Sequence, residues 1–405
     1  MKNRRNFIRN TLSGSAAIGI SSSVPNLLLH AAERSSNDND DNILVVVQLS
    51  GGNDGLNTVI PYSDDEYYKN RFTLAVPRDD VIRIDDSIGF HPALREFGKL
   101  IEHNRLTVVQ GVGYPNPNRS HFQSMDLWHT AHFESQAQRM GWLGRSIESE
   151  LRSLDLPAVH LGEGVQPLAL RTQSKPIASI RSLEDFQLNL LKSKRTRESI
   201  QTLLSHQRDG ENSLLSYIHE SADVALQTSH HLSAFDENSK DEYDYPNTRL
   251  GRNLSVTAKL IDSGLSTRIY YTTLEGFDTH SNQGPSHQGL LNEFSNSISA
   301  FMKQLQVQGN DKRVLVFAFS EFGRRVRENA SRGTDHGTAA PVFLFGGALG
   351  STIFGNHPSL VDLDEGDLKH LVDYRCVYAD LLKNWLAIEP KRILGDTFEL
   401  IGLFS

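Results

Sequence analysis

The 405 residues include a single cysteine, Cys376, so no disulfide can close within the chain. Neither a cysteine-rich zinc site nor an iron–sulfur cluster can be built from it. Any metal must be held by His, Asp and Glu. Long hydrophobic runs are also missing: Thr11 to Leu29, the apolar stretch near the start, is rich in Ser, Gly and Ala and broken by Gly14, Gly19 and Pro25, which makes a poor membrane span. Positive charge is short as well. Lys and Arg number 41 against 49 Asp and Glu, and five of the basic side chains lie in the first 34 residues beside one acid. The remainder carries 36 basic and 48 acidic side chains, a net −12. A body this acidic repels phosphate backbones and anionic lipid, and no basic patch offsets it, so nucleic acid is not expected as a partner. With 38% apolar and 22% charged side chains, the composition is that of an ordinary globular protein.

The chain divides by composition. Residues 3–9, Asn-Arg-Arg-Asn-Phe-Ile-Arg, lead into the weakly apolar stretch. This looks like a twin-arginine export signal over residues 1–32, an address read by a receptor, with cleavage near Ala31 or Ala32. The expected partner is the twin-arginine export machinery and the expected location periplasmic or secreted, with no stable membrane span after cleavage. Residues 33–42 form a polar, acidic linker with nothing to bury, and the folded body is expected over residues 43–405. Ile43 to Leu49 reads as a buried central strand ending in Ser50-Gly51-Gly52-Asn53-Asp54-Gly55. Leu106 to Val112, Arg268 to Leu274, Arg313 to Phe319 and Pro341 to Gly346 are further strand-like runs. Helical spacing is seen at Pro92 to His103, His121 to Thr130, Leu290 to Leu305 and Asp373 to Leu386. Strands alternating with helices predict a doubly wound, mostly parallel α/β sheet, with functional loops at the carboxyl ends of strands. The polar segment 183–249 reads as a helical insertion or cap.

Four loops hold candidate chemistry. After the first strand, Gly51 and Gly52 allow close backbone approach to an anion, Asn53 offers a substrate contact and Asp54 a hard oxygen ligand. After the Leu106 strand, Asn116-Pro117-Asn118-Arg119-Ser120-His121 opens a helix. Ser120 there either caps the helix or serves as a nucleophile at its positive end. After the Arg268 strand, Asp278-Thr279-His280 is a compact oxygen-plus-nitrogen chelate, with His287 seven residues on. Asp335-His336-Gly337 precedes the Pro341 strand and follows Ser320-Glu321-Phe322-Gly323-Arg324. Asp and imidazole side chains from separate strand ends suit a divalent ion, and Arg324 suits an anionic group.

In this order the motifs Gly-Gly-Asn-Asp-Gly, Asn-Arg-Ser-His-Phe, Gly-Phe-Asp-Thr-His, Ser-Glu-Phe-Gly-Arg and Asp-His-Gly resemble an exported bacterial family, catalogued as domain of unknown function 1501, over essentially Ile43 to the carboxyl terminus. That family is similar in turn to the alkaline phosphatase and sulfatase superfamily. The resemblance implies an alkaline-phosphatase-like sheet and a divalent metal such as Zn, Mn, Mg or Ca, with the number of ions open. It implies Ser120 as nucleophile, Asp54, Asp278, His280, Asp335 and His336 as metal ligands, and Asn53, Arg119 and Arg324 as substrate contacts. The superfamily expects a further His after the Asp-His pair, and His357 and His370 stand in no matching motif. The expected activity is hydrolysis of a phosphate, sulfate or related ester by an exported metal-dependent enzyme. A non-catalytic periplasmic binding or assembly protein on the same fold is the alternative, and a metal-free serine esterase ranks third.

Overall fold

The computed structural model describes residues 42–133, 140–180, 243–347 and 349–404, all within one unit, Asp38–Ser405. The expected signal over residues 1–32, most of the linker and most of the 183–249 insertion lie outside the described residues. The central sheet has nine strands: β1 (Ile43–Ser50), β2 (Leu106–Gly113), β3 (Ala158–Leu161), β4 (Ala178–Ile180), β5 (Ile269–Glu275), β6 (Val314–Phe319), β7 (Ala340–Phe345), β8 (Ile353–Phe354) and β9 (Val372–Asp373). Their order is β8-β2-β7-β6-β1-β5-β3-β4, with β9 also paired to β2. β1 runs parallel to both β5 and β6, from Leu44 opposite Ile269 and Ile43 opposite Val314. Only β7 runs antiparallel within this sheet, against β2 and β6. Its register against β2 shifts between Ala340 and Val342, where Pro341 has no N–H to give the ladder.

Both faces of the sheet are covered, as the alternation along β1 requires. Ile43, Val45, Val47 and Leu49 join one core with helices α1 (Arg95–Glu102), α3 (Arg249–Asp262) and α4 (Gln283–Gln308). Leu44 and Val46 join the other, built on α2 (His121–Thr130) and α5 (Tyr374–Asp380). A strand buried on both faces is why β1 reads as an unbroken apolar run. Trp128, Trp142 and Trp385 are all buried, the first two stacked on Phe319, Tyr374 and Tyr378. Among the described residues no helix is long and apolar enough to cross a membrane.

The sheet sets the stage for chemistry because β1, β5 and β6 are parallel neighbours. Their carboxyl ends deliver Gly51-Gly52, Asp278 and Glu321 to one edge. Gly51 and Gly52 have φ of 117° and 79°, a region that favours glycine. A Cβ on Gly51 would lie 2.4 Å from the Asp278 amide nitrogen, and one on Gly52 the same distance from the Phe322 ring. The loop is thus packed directly against the two loops that carry the candidate ligands.

Candidate metal centre

Three imidazoles and one carboxylate converge beyond those strand ends. His336 Nε2 and His280 Nε2 each lie 3.0 Å from Asp278 Oδ1 and 2.9 Å from one another. His121 Nε2 stands 3.5 Å from the same oxygen. Ligand atoms of His121, Asp278 and His336 all fall within 4.8 Å of each other. Ligands bound to zinc at about 2.0–2.1 Å in a tetrahedron are separated by about 3.3 Å, so the spacing suits a small divalent cation.

The hydrogen bonds on the far side of each ring strengthen the case. His336 Nδ1 donates to the Arg119 carbonyl at 2.8 Å, and a carbonyl only accepts. The proton therefore sits on Nδ1, and Nε2 of the neutral ring carries a lone pair. His121 Nδ1 likewise meets Glu321 Oε1 at 2.8 Å, and His280 Nδ1 meets Asp335 Oδ1 at 3.2 Å. All three rings thus aim lone pairs at a carboxylate oxygen, and acceptor faces acceptor. Extra protons on the rings, or one cation between them, would relieve that opposition. Three imidazolium rings beside the Arg324 guanidinium would repel one another, whereas a divalent ion satisfies the whole set. The donor set fits such an ion, with Glu321, Asp335 and the Arg119 carbonyl as the groups that orient the rings.

Electrostatics agree. Partial burial works to raise the Asp278 carboxyl, but the Arg324 hydrogen bond and nearby positive charge outweigh it and hold it below the ordinary carboxylate range. Asp278 is therefore an anion at any working pH. The Glu321 hydrogen bond raises His121 above the ordinary imidazole value, with burial opposing. Glu321 is itself 1% exposed and also accepts from the Gly51 amide at 2.9 Å and from Ser320 Oγ at 3.1 Å.

The remaining sequence-predicted residues are placed differently. Asp54 stands apart from the cluster: Arg71 clamps both its oxygens, at 2.5 and 2.9 Å, and Gln283 donates to one of them. Both partners of that ion pair are fully buried. Burial pushes the Asp54 carboxyl up, and the Arg71 charge and hydrogen bonds overcome it, leaving it below the ordinary range. Asn53 is buried as well, its Oδ1 accepting from Thr58 Oγ1 and His287 Nε2, both at 3.0 Å. Arg324 grips no open space. Its guanidinium donates to the carbonyls of Gly51, Gly52, Phe277 and Thr334 and to Asp278. Arg119 turns Nε and Nη2 onto Asp367, while Nη1 has no partner among the described residues. Asp335 supports His280 in place of joining the cluster. Ser120 occupies the cap position of α2, yet its side chain makes no capping bond.

Sequence reasoning assigns no role to His121, a member of the cluster, or to Glu321, which orients it. Both lie inside the quoted motifs, one directly after Ser120 and one just beyond β6. Their roles depend on which way each side chain turns, which spacing does not reveal.

Acid should weaken the fold, and the sign follows from imidazoles outside the cluster. Burial lowers His91, His160 and His287 to about 4 and His129 to about 3. An unfolded imidazole titrates near about 6.5. Between that value and about 4 the unfolded chain binds protons that these folded rings refuse, so stability falls as pH falls. The raised His121 acts oppositely, one ring against these four and the further depressed rings of His132 and His357. Each depressed ring contributes up to about 1.4 kcal/mol per pH unit in that window. Urea unfolding of chelator-treated protein at pH 7.5 and pH 5 should show a loss of a few kcal/mol, and equal midpoints would contradict it.

A mainly parallel α/β sheet that gathers three imidazoles, a carboxylate and a helix-start serine at one edge defines the class of protein. The chain belongs to the family described as protein of unknown function DUF1501, whose model matches residues 41–373. A comparison with curated proteins gives no match. Among similar solved structures is the C-terminal periplasmic domain of EcEptC from Escherichia coli in complex with Zn, at 10% identity, 77% of this chain, 74% of that one and TM-score 0.35. PsFucS1 sulfatase from Pseudoalteromonas sp. is similar at 10% identity, 94% and 75% coverage and TM-score 0.40. The alkaline phosphatase of the Antarctic bacterium TAB5 is similar at 12% identity, 76% and 91% coverage and TM-score 0.35.

Proposed function

We propose that the chain is an exported, metal-dependent hydrolase of phosphate, sulfate or related esters. The observation that carries this reading is the convergence of three imidazoles on Asp278 Oδ1, with Ser120 adjacent in sequence to His121. His121, His280, His336 and Asp278 would hold the metal, and His121 and the Arg119 carbonyl flank Ser120 in the chain. A bound divalent ion supplies a Lewis acid for an ester oxygen and lowers the pKa of a hydroxyl or water beside it. Ser120 Oγ has no hydrogen-bond partner among the described residues, and its position at the start of α2 adds the partial positive charge of the first-turn amides. Arg119 Nη1 is the side-chain donor free to meet an anionic oxygen. Ser120 Oγ forms the new bond to phosphorus or sulfur while the ester oxygen departs as an alcohol with the proton that Ser120 gives up, and water then cleaves the serine ester and returns a proton to Ser120, so one water is consumed per turnover. Export through the twin-arginine machinery is part of the same proposal and rests on Arg4-Arg5 and the stretch that follows.

The test uses purified full chain loaded with zinc or manganese. Phenyl phosphate and phenyl sulfate are offered with and without chelator, and Ser120→Ala is compared with wild type. Turnover should need the metal, and Ser120→Ala should keep its metal while kcat falls by about a thousandfold or more. Unchanged turnover in a metal-loaded Ser120→Ala protein removes Ser120 from the nucleophile role. Stoichiometric metal without turnover of any ester favours the non-catalytic binding protein.

A further inference from the structure

A second cavity, of about 220 Å³, opens at the carboxyl ends of β1, β5 and β3, beside the metal centre and separate from it. Three residues that line it are more than nine-tenths buried: Gln48, His129 and His160 are 7%, 6% and 3% exposed. Each leaves a polar atom unpaired. Gln48 Oε1 accepts from Tyr271 and His129, but its amide nitrogen has no partner among the described residues. His160 Nδ1 meets Ser179 Oγ at 2.8 Å while its Nε2 has no partner among the described residues, and the same holds for His129 Nδ1. None of these three atoms is among the polar atoms sealed from solvent, so they open on the cavity they line. Polar groups of buried residues are satisfied by something, and here that is solvent or a ligand which the cavity admits.

We infer that this cavity binds a neutral, polyhydroxylated group of the size of one sugar ring. The volume is that of about seven waters. Burial keeps both histidines uncharged at neutral pH, so the one ring nitrogen that each leaves unpaired meets a hydroxyl as a neutral partner. The mouth disfavours an anion: Arg249 is spent on Glu163 and Glu275, at 3.0 and 3.5 Å, which leaves one negative charge in excess. The site lies close to the metal centre, because Glu275 on its wall is three residues from Asp278 and Ser50 precedes Gly51. Three extended residues span at most about 11 Å. A hydroxylated ring in the cavity can therefore carry an ester group to the centre, making the substrate a phosphate or sulfate ester of a sugar or polyol. That last step rests on the hydrolase reading; the binding itself does not.

The test measures binding of methyl α-D-glucoside, myo-inositol and glycerol to the zinc-loaded full chain by saturation-transfer NMR and calorimetry. Wild type is compared with His160→Phe and Gly164→Phe. Gly164 lines the cavity, and a Cβ placed there meets nothing within 4 Å, so the larger side chain fills the opening without displacing the fold. Metal content verifies each variant. At least one of the three probes should bind in the millimolar range, and each substitution should weaken it by about tenfold or more. No binding at tens of millimolar by a protein that cleaves phenyl phosphate overturns the cavity assignment and leaves the hydrolase standing. Equal binding by wild type and both variants overturns it as well. Binding that the variants lose, in a protein that cleaves no ester, upholds the cavity and overturns the hydrolase.

Discussion

Asp278→Asn should purify as a folded protein that no longer holds a stoichiometric metal. The carboxylate is the one group toward which His121, His280 and His336 all turn. An amide in its place keeps the shape but removes the negative charge and puts an N–H where the three rings meet an oxygen. The fold should survive, because the Asp278 side chain is half exposed and Arg324 keeps its four carbonyl partners. Glu321→Gln supplies the graded comparison. It removes the acceptor that orients His121 without touching the converging atoms, and losses at such outer positions are about 10–100-fold in metal affinity. Asp278→Asn should exceed that range. Elemental mass spectrometry of the purified proteins and competition with a chelating dye read both numbers. Affinity in wild type should fall as pH drops, since each ring must give up a proton to bind metal. If Asp278→Asn retains one metal per chain with wild-type affinity, the ion lies elsewhere and the convergence of the three rings has another cause.

Much of this architecture is legible in the chain because burial on both faces leaves a plain mark. Ile43 to Ser50 is apolar at nearly every position, and that run is β1. The direction of β7 is not legible, since a short apolar strand reads the same in either sense and Pro341 alone hints at irregular pairing. β3 and β4 are four and three residues long, too short for period-two contrast to stand out. α4 begins at Gln283, seven residues before the apolar spacing starts at Leu290. Gln283 is fully buried yet polar, held by Asp54 and Thr334, and no periodicity announces a buried amide. The site shows the same division. Asp278, His280 and His336 stand out as acids and imidazoles at strand ends, and the structure brings them together. Asp54 stands out equally, but its partner Arg71 comes from a loop 17 residues on. Residue type suggests what an isolated side chain can bind; only the fold decides what has already bound it.

Arg324 shows how far that distinction reaches, because its value here is expected in stability before any substrate arrives. Its side chain is fully buried. It bonds the Gly51 and Gly52 carbonyls after β1, the Phe277 carbonyl and Asp278 carboxylate after β5, and the Thr334 carbonyl two residues before His336. Three loops that carry the candidate chemistry are thus pinned by one planar cation. Arg324→Met fills similar volume but leaves four carbonyls without their donor, and breaking a buried charged network of this kind costs about 3–5 kcal/mol. Arg324→Lys should recover little, since one ammonium cannot reach acceptors spread around a planar fork. Both variants should also bind metal more weakly, as Asp278 loses the contact that orients it. Urea unfolding of the metal-free proteins separates this from a role in gripping substrate. A pinning residue lowers the midpoint with no ligand present. A substrate contact would leave the midpoint at the wild-type value and raise only KM, and that pattern would require Arg324 to let go of the three loops when an anion binds.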